Sequence, residues 1–294
     1  MIVWLRRVGA LLLVLVAAVA VFVGVAWWRS NAAMAHAYSI SDAPLPMAAA
    51  DVARGEYLFE TRGCADCHGA DGRGTLVMDA GPVAQVHAAN ITPAGLRGRY
   101  DASRLAAAIR HGVRADGTSL IFMPSMDWSE LSDRDTADLT AYVLQLPSVA
   151  VSHPASRLGP LGRILWFTGK AGGLLPATVI DHSPRLRPEV AIAANAEYGE
   201  YLVAMCRSCH GPQLAGGVDL GPGEPKSANI NMARGGLAGW TRDDFLHAMR
   251  TGIRPDGRNL ADIMPWRAVA AMKPVEQDAI WAYLSRSRNT GAAE

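Results

Sequence analysis

The sequence predicts an all-α fold in which two tandem helical domains follow a single N-terminal transmembrane helix. Three observations support this prediction: an apolar run near the N-terminus, a long repeat that occurs twice in the remaining chain, and helical periodicity without any alternating strand pattern. The chain has 294 residues, of which 50% are hydrophobic and 19% charged. That size and composition suit two ordinary soluble domains and one additional apolar segment.

The apolar run extends from Val8 to Trp28 and lies between Arg6 and Arg7 on one side and Arg29 on the other. At about 1.5 Å per residue it reaches roughly 30 Å, the thickness of the hydrocarbon core of a bilayer. Two tryptophans beside Arg29 are typical of the membrane interface. We therefore predict a membrane anchor within residues 1–35, spanning the bilayer at about residues 8–28.

A cleaved signal peptide is the alternative, because the "AHA" at 35–37 resembles a cleavage site. The apolar core of a signal peptide is usually about 7 to 15 residues, however, which is shorter than this run. The positive-inside rule keeps Arg6 and Arg7 in the cytoplasm and sends everything after Arg29 across the membrane.

The repeat places similar phrases in the same order in both halves of the chain. "CADCHG" at 64 recurs as "CRSCHG" at 206, "AIRHGVRADG" at 108 as "AMRTGIRPDG" at 248, and "FMP" at 122 as "IMP" at 263. We predict a first copy over 48–148 and a second over 195–290. The stretch between them, 149–194, is rich in proline and glycine, as a surface linker would be. The alternative is that its apolar residues 164–167 pack on a domain, on the membrane or on a partner.

All four cysteines belong to the two C-x-x-C-H phrases. Disulfide bonds would close very short loops and leave both histidines unexplained, and a zinc site would not account for a histidine directly after each pair. Covalent attachment of haem uses every residue, since both thiols bond to the haem vinyl groups and the adjacent imidazole binds the iron. The predicted attachment residues are Cys64, Cys67 and His68 for one group, and Cys206, Cys209 and His210 for the other.

Methionine is the one iron ligand that recurs downstream of both phrases. Met123 follows His68 by 55 residues, Met264 follows His210 by 54, and each precedes a proline. We predict that these thioethers are the distal ligands, because His/Met ligation is usual in cytochromes c. The nearest alternatives, Met126 and Met272, do not align with each other, and no other histidine recurs in both copies.

Each copy is predicted to begin with a short helix at "GEYL" and to end with an amphipathic one. The last helix of the first copy has Ser132 as its N-cap, with Asp135 three residues on. Gly55 and Gly199 have no side chain, which would let each first helix cross close to an aromatic residue of the last. We also expect Asn90 and Asn229 to anchor loops by hydrogen bonds.

Two recurring arginines, Arg110 and Arg250, lie near the ends of predicted helices. Their charge either stabilises the helix C-terminus or pairs with haem propionates. The whole chain has 28 basic and 27 acidic residues, so nucleic acid is not indicated as a partner.

These residues resemble those of a membrane-anchored dihaem cytochrome c, built of two class I type cytochrome c domains, and of the cytochrome subunits of periplasmic dehydrogenases. The resemblance covers about 48–148 and 195–290. It implies two covalently attached haem c groups and one-electron transfer from a dehydrogenase to a cytochrome or oxidase acceptor. It also implies a bacterial inner-membrane location, with the haem domains on the periplasmic side. Such subunits often carry three haems, whereas this sequence has two attachment phrases.

Two functions follow from the sequence. The first is an electron carrier that catalyses no bond chemistry, with four iron ligands at His68, Met123, His210 and Met264. The alternative is a dihaem oxidoreductase of the peroxidase or thiosulfate dehydrogenase type, which needs an open or exchangeable position at iron. Methionines in register in both copies favour the carrier.

Overall fold

The computed structural model describes residues 2–220 and 223–286. The predicted end of the second copy, 287–290, lies outside the described residues. The helices before and within the first copy are α1 (Ile2–Ala35), α2 (Val52–Thr61), α3 (Cys64–His68), α4 (Pro93–Leu96), α5 (Ala102–His111), α6 (Ser125–Trp128) and α7 (Asp133–Gln145). The segment between the copies contains α8 (Pro160–Phe167), and the second copy contains α9 (Ala196–Val203), α10 (Arg207–His210), α11 (Arg242–Thr251), α12 (Trp266–Ala270) and α13 (Pro274–Arg286).

The first and last helices of each copy cross at the predicted glycines. A Cβ on Gly55 would lie 2.1 Å from the Asp138 carbonyl oxygen and 2.8 Å from Tyr142 Cβ. A Cβ on Gly199 would lie 1.9 Å from the Ala279 oxygen, and the neighbouring aromatic is Tyr283. Both contacts exclude any larger residue, so the predicted close crossing is confirmed in both copies.

Helix α7 begins as predicted, because the Ser132 hydroxyl accepts a hydrogen bond from the Asp135 backbone N–H at 3.0 Å. The Asp135 carboxylate contacts residues outside α7. It pairs with Arg54 of α2 at 2.5 Å and accepts a hydrogen bond from the Tyr201 hydroxyl of the second copy at 2.7 Å. The first turn of α7 therefore also joins the two copies.

The fold is helix-rich, but it departs from the all-α prediction in one small sheet. Strands β1 (Leu76–Asp79), β2 (Ala84–His87) and β3 (Arg157–Leu158) form an antiparallel sheet in the order β1-β2-β3, with Ala84 opposite Leu158. Strands of two to four residues are too short to show an alternating pattern in the sequence. The third strand comes from the segment between the copies, so tertiary contact rather than local periodicity creates this sheet.

Strand β3 and the residues after it pack on the first copy and on α1. Leu158, Leu174 and Leu175 are buried with Ala84 and Val86 of the sheet. The C-terminal end of α1 packs on the same cluster through Ala33 and Met34, as does Trp166 of α8. Of the apolar residues 164–167 whose environment the sequence left open, Trp166 thus packs on the first copy, and Phe167 contacts Phe22 of α1.

Helix α1 is long and apolar enough to cross a membrane, with a mean hydropathy of 3.0 in its most apolar window. It continues to Ala35, beyond the end of the apolar run at Trp28. Ala26 and Ser30 are 1% and 0% exposed, which shows that the C-terminal part of α1 is covered by the rest of the chain.

Each copy has its own core. In the first, Leu58, Phe59 and Leu139 are buried together, and in the second the buried cluster includes Leu202, Phe245 and Ile280. The copies also contact each other: α6 lies beside the turn Ala204–Cys206 and α10, and α12 lies beside α2. The attachment phrases, at α3 and α10, lie next to this contact.

Candidate haem attachment sites

Both histidines of the C-x-x-C-H phrases are held in the same way. His68 Nδ1 lies 2.8 Å from the Ala89 carbonyl oxygen, and His210 Nδ1 lies 2.7 Å from the Ala228 oxygen. A carbonyl oxygen only accepts, so Nδ1 carries the proton and Nε2 keeps a free lone pair. Burial lowers the pKa of both imidazoles, although the hydrogen bond to the carbonyl opposes this. Each histidine is therefore a neutral imidazole with Nε2 available to a metal.

Glycine-containing loops bring these carbonyl groups to the histidines. The Gly74 N–H donates to the His68 carbonyl at 2.8 Å, and the Gly216 N–H donates to the His210 carbonyl at 2.9 Å. Both glycines have positive φ, and a Cβ on either would lie under 2.5 Å from the backbone of Ala88 or Ala228. The two loops therefore share the same backbone hydrogen bond and the same positive-φ glycine.

Asn90 and Asn229 stabilise the chain just after those carbonyl groups. Asn90 Oδ1 accepts from the Thr92 N–H at 3.0 Å, and Asn229 Oδ1 accepts from the Asn231 N–H at 2.9 Å. The Asn90 amide also donates to the Val149 carbonyl at 2.7 Å. The prediction that both asparagines anchor loops by hydrogen bonds is confirmed.

The four cysteines lie beside these histidines as free thiols. Burial raises the pKa of Cys64 and of Cys206 to about 12, and raises the pKa of Cys67 and Cys209 as well. Within residues 2–220 and 223–286, no three histidine, cysteine or acidic side chains converge as a metal-binding group.

The loops that carry Met123 and Met264 also share one backbone pattern. The Leu120 N–H donates to the Gly112 oxygen, and the Leu260 N–H to the Gly252 oxygen, both at 2.7 Å. Two residues after each methionine, an N–H donates back to the methionine carbonyl at 2.8 Å.

Each methionine packs on the core cluster that also contacts the first cysteine of its own copy. Met123 and Cys64 share one cluster, and Met264 and Cys206 share the other. The alternatives have other roles: Met272 is a core residue, 3% exposed, and Met126 packs towards Gly173.

The recurring arginines join helices within each copy. Arg110 is 1% exposed; it donates to Thr136 Oγ1 at 2.8 Å and pairs with Asp133 of α7 at 2.7 Å. Arg250 Nε donates to Gln277 of α13 at 2.8 Å. Both arginines lie in the last turn of their helices, as the first alternative drawn from the sequence expected, and each also joins its helix to the last helix of its copy.

The second attachment phrase also contacts the short helix that follows the candidate methionine of the first copy, because the Ser208 hydroxyl donates to Asp127 of α6 at 2.8 Å. In the first phrase, burial raises the pKa of Asp66, and the charge of Arg267 on α12 opposes this rise. Sequence reasoning missed the contact between Ser208 and Asp127, since no single copy contains both residues.

Comparison with known proteins identifies a cytochrome c domain in this chain. Residues 52–147 match the sequence model of the Cytochrome c family, so the chain contains a cytochrome c domain, a domain that binds haem c covalently. The fructose dehydrogenase cytochrome subunit of Gluconobacter japonicus is 28% identical over 232 residues, which cover 68% of this chain and 45% of the relative. The cytochrome c subunit of a quinone-dependent alcohol dehydrogenase from Gluconacetobacter polyoxogenes is 30% identical over 238 residues, which cover 68% and 48%.

A diheme c-type cytochrome of Cereibacter sphaeroides is 27% identical over 270 residues, covering 80% of this chain and 86% of the relative. The chain spans about half the length of the two dehydrogenase subunits. The matched domain is a cytochrome c domain, and all of these relatives are named as cytochromes or as cytochrome subunits.

Proposed function

We propose that this protein is a membrane-anchored dihaem c-type cytochrome that carries single electrons between a periplasmic or membrane-bound dehydrogenase and the respiratory chain. The observation that carries the proposal is the repeated histidine geometry. In both copies Nδ1 donates to a backbone carbonyl at 2.8 or 2.7 Å, which leaves Nε2 free beside two cysteine thiols. Histidines that bind a metal usually donate their other ring N–H to such an acceptor, and this arrangement occurs in both copies.

The described residues fit haem c in both copies. Cys64 and Cys67 would hold one group covalently, with His68 and Met123 as its iron ligands. In the second copy the corresponding residues are Cys206 and Cys209, with His210 and Met264. When bound, haem c supplies one-electron chemistry at iron, and His/Met ligation raises its potential.

The protein's part is to hold these ligands rigidly. The carbonyl groups of Ala89 and Ala228 fix the orientation of the imidazoles and increase their basicity. The hydrogen bonds around Met123 and Met264 fix the loops in which the thioethers lie. Rigid ligands suit an electron carrier, because little then has to rearrange when the charge at the site changes.

The proposed location follows from α1, which would hold the protein in the bacterial inner membrane with both copies on the periplasmic side. A dehydrogenase is the proposed electron donor because relatives are named as cytochrome subunits of fructose, alcohol and gluconate dehydrogenases. A cytochrome or oxidase is the proposed acceptor.

The decisive experiment counts the covalent haems. The denatured polypeptide should retain two haem c groups per chain in a pyridine haemochrome assay. Replacing Cys206 and Cys209 by alanine should leave one group, and the matched change of Cys64 and Cys67 should also leave one. A single haem in the parent protein would contradict the proposed role of the second copy.

A further inference from the structure

Helix α8 runs alongside the outer end of α1 in the opposite direction. Near its start, the Arg163 guanidinium lies 4.0 Å above the Trp27 ring and donates to Ser30 Oγ at 2.8 Å. At its end, the Phe167 ring meets the Phe22 ring edge-on, with the centroids 5.7 Å apart. Between Arg163 and Phe167, α8 therefore passes from the level of Trp27 and Ser30 to the level of Phe22, which is nearer the middle of α1.

The contact between Phe167 and Phe22 sets how deep the end of α8 would lie in a bilayer. Phe22 precedes Trp28, the end of the apolar run, by six residues, or about 9 Å along a helix. If α1 spans a bilayer, the end of α8 lies that far inside the level of Trp28. Amphipathic interfacial helices bury their apolar face about 5–10 Å into the boundary between headgroups and acyl chains.

The chemistry of this region suits a lipid surface. Between 150 and 180 the chain has three basic residues, Arg157, Arg163 and Lys170, and no acidic residue. Leu161 is 42% exposed and Phe167 half-buried, although both are apolar. Basic and apolar side chains together bind the surface of membranes that contain anionic lipids.

The position of α8 relative to α1 is fixed by packing on both sides. A Cβ on Gly162 would lie 2.0 Å from the Val83 carbonyl oxygen, so the start of α8 is pressed against the chain entering β2. On the α1 side, Ala26 and Ser30 are 1% and 0% exposed. Beyond α1, the Tyr38 N–H donates to the Gly117 carbonyl of the first copy at 2.8 Å.

We propose that α8 and the turn after it, residues 160–171, insert into the outer leaflet beside α1 and form a second membrane contact. This contact would hold the first copy at a fixed height and orientation above the bilayer, so that the anchor does not act as a flexible tether. The inference rests on the proposed membrane anchor, but it has its own test.

The test measures depth in the full-length, haem-loaded protein reconstituted into liposomes of phosphatidylcholine and phosphatidylglycerol. Single cysteines at three positions are spin-labelled, and their accessibility to oxygen and to a water-soluble nickel complex is measured by electron paramagnetic resonance. Thr168→Cys reports on α8, and Val19→Cys on α1. Asp243→Cys, whose parent side chain is 89% exposed, reports on water. Parent protein without an added cysteine controls for labelling of the natural thiols.

The expected ratio of oxygen to nickel accessibility is several-fold higher at Thr168 than at Asp243, and highest at Val19. If Val19 is in the bilayer but Thr168 has the value of Asp243, the second contact is wrong and the anchor stands. If neither Val19 nor Thr168 reaches the bilayer, the anchor itself fails.

Two further outcomes are defined. A Thr168 label shielded from both oxygen and nickel would indicate that this position is covered by protein, either this chain or a second copy of it, and would also overturn the lipid contact. Phe167→Asp should move the Thr168 label towards water while Val19 stays deep; no movement would contradict the role of α8.

Discussion

Glu276 is the residue whose removal should most weaken the contact between the two copies. Its carboxylate lies 3.1 Å from the Arg62 guanidinium, two residues before Cys64, and both side chains are at most 4% exposed. It also accepts from the Tyr198 hydroxyl at 3.0 Å and from the Tyr57 hydroxyl. Burial raises the pKa of Glu276 to about 7, so at pH 8 this is a charged pair buried between the copies.

Truncating Glu276 to alanine leaves the Arg62 guanidinium without its counter-charge and two tyrosine hydroxyls without their acceptor. Breaking a buried pair by removing one partner costs about 3–5 kcal/mol. Each buried donor left unpaired costs about 1–3 kcal/mol, but these penalties overlap because Arg62 and the tyrosines share one acceptor. We expect the free energy of unfolding to fall by about 4 kcal/mol at pH 8.

The measurement is urea denaturation of the haem-loaded protein in detergent, followed by far-ultraviolet and Soret circular dichroism. Asp278→Ala is the matched control, since Asp278 lies on the same helix and pairs at 2.6 Å with Arg242, but both side chains are more exposed. An exposed pair contributes about 0.2–1 kcal/mol. If Glu276→Ala costs no more than Asp278→Ala, the buried pair does not hold the copies together. Arg62→Met combined with Glu276→Leu should recover part of the loss, since no charge is then left unpaired.

Three other predictions concern the ligands, an acidic side chain and the topology. Met264→His should leave the haem attached but lower its redox potential, because an imidazole replaces a thioether, and Met123→His should do the same in the first copy; unchanged potentials in both variants would contradict the ligand assignment. Burial raises the pKa of Asp127 to about 7, so the folded protein keeps a proton that the unfolded chain loses, and this contribution to stability is present at low pH and lost as the pH rises to about 7. Asp127→Asn should therefore stabilise the protein at pH 8 relative to pH 5, by about 2–3 kcal/mol compared with the parent in urea denaturation; equal pH profiles would refute this. A reporter active only outside the cytoplasm and fused after residue 294 should be active, and haem staining should stay with the membranes, whereas release of the haem protein by osmotic shock would favour cleavage near Ala37.

Several elements could be predicted from the sequence because their causes are local. The cap of α7 at Ser132 depends on a hydroxyl three residues before an unpaired N–H. The crossings at Gly55 and Gly199 follow from the absence of a side chain, and α1 follows from a continuous apolar run. Repetition strengthened the prediction of the glycine crossings, since two copies of one pattern are hard to obtain by chance.

Other features were beyond sequence reasoning because their causes are distant in the chain. The strand Arg157–Leu158 exists only because it pairs with β2, about 70 residues earlier. The placement of α8 against α1 depends on contacts such as Arg163 with Ser30, 133 residues apart. No periodicity in 149–194 indicates either contact.

The sequence by itself determined which residues are candidates for the chemistry: two C-x-x-C-H phrases, two methionines in register, one apolar run and the helices around them. Only the tertiary structure decided how these parts are oriented. In it, both imidazoles have Nε2 free, Arg110 and Asp135 join separate elements, and the second C-x-x-C-H phrase contacts the first copy. The physical reason is that residue types and their spacing indicate which side chains can be ligands. The direction of a side chain depends instead on the acceptors and charges that lie near it in the folded chain.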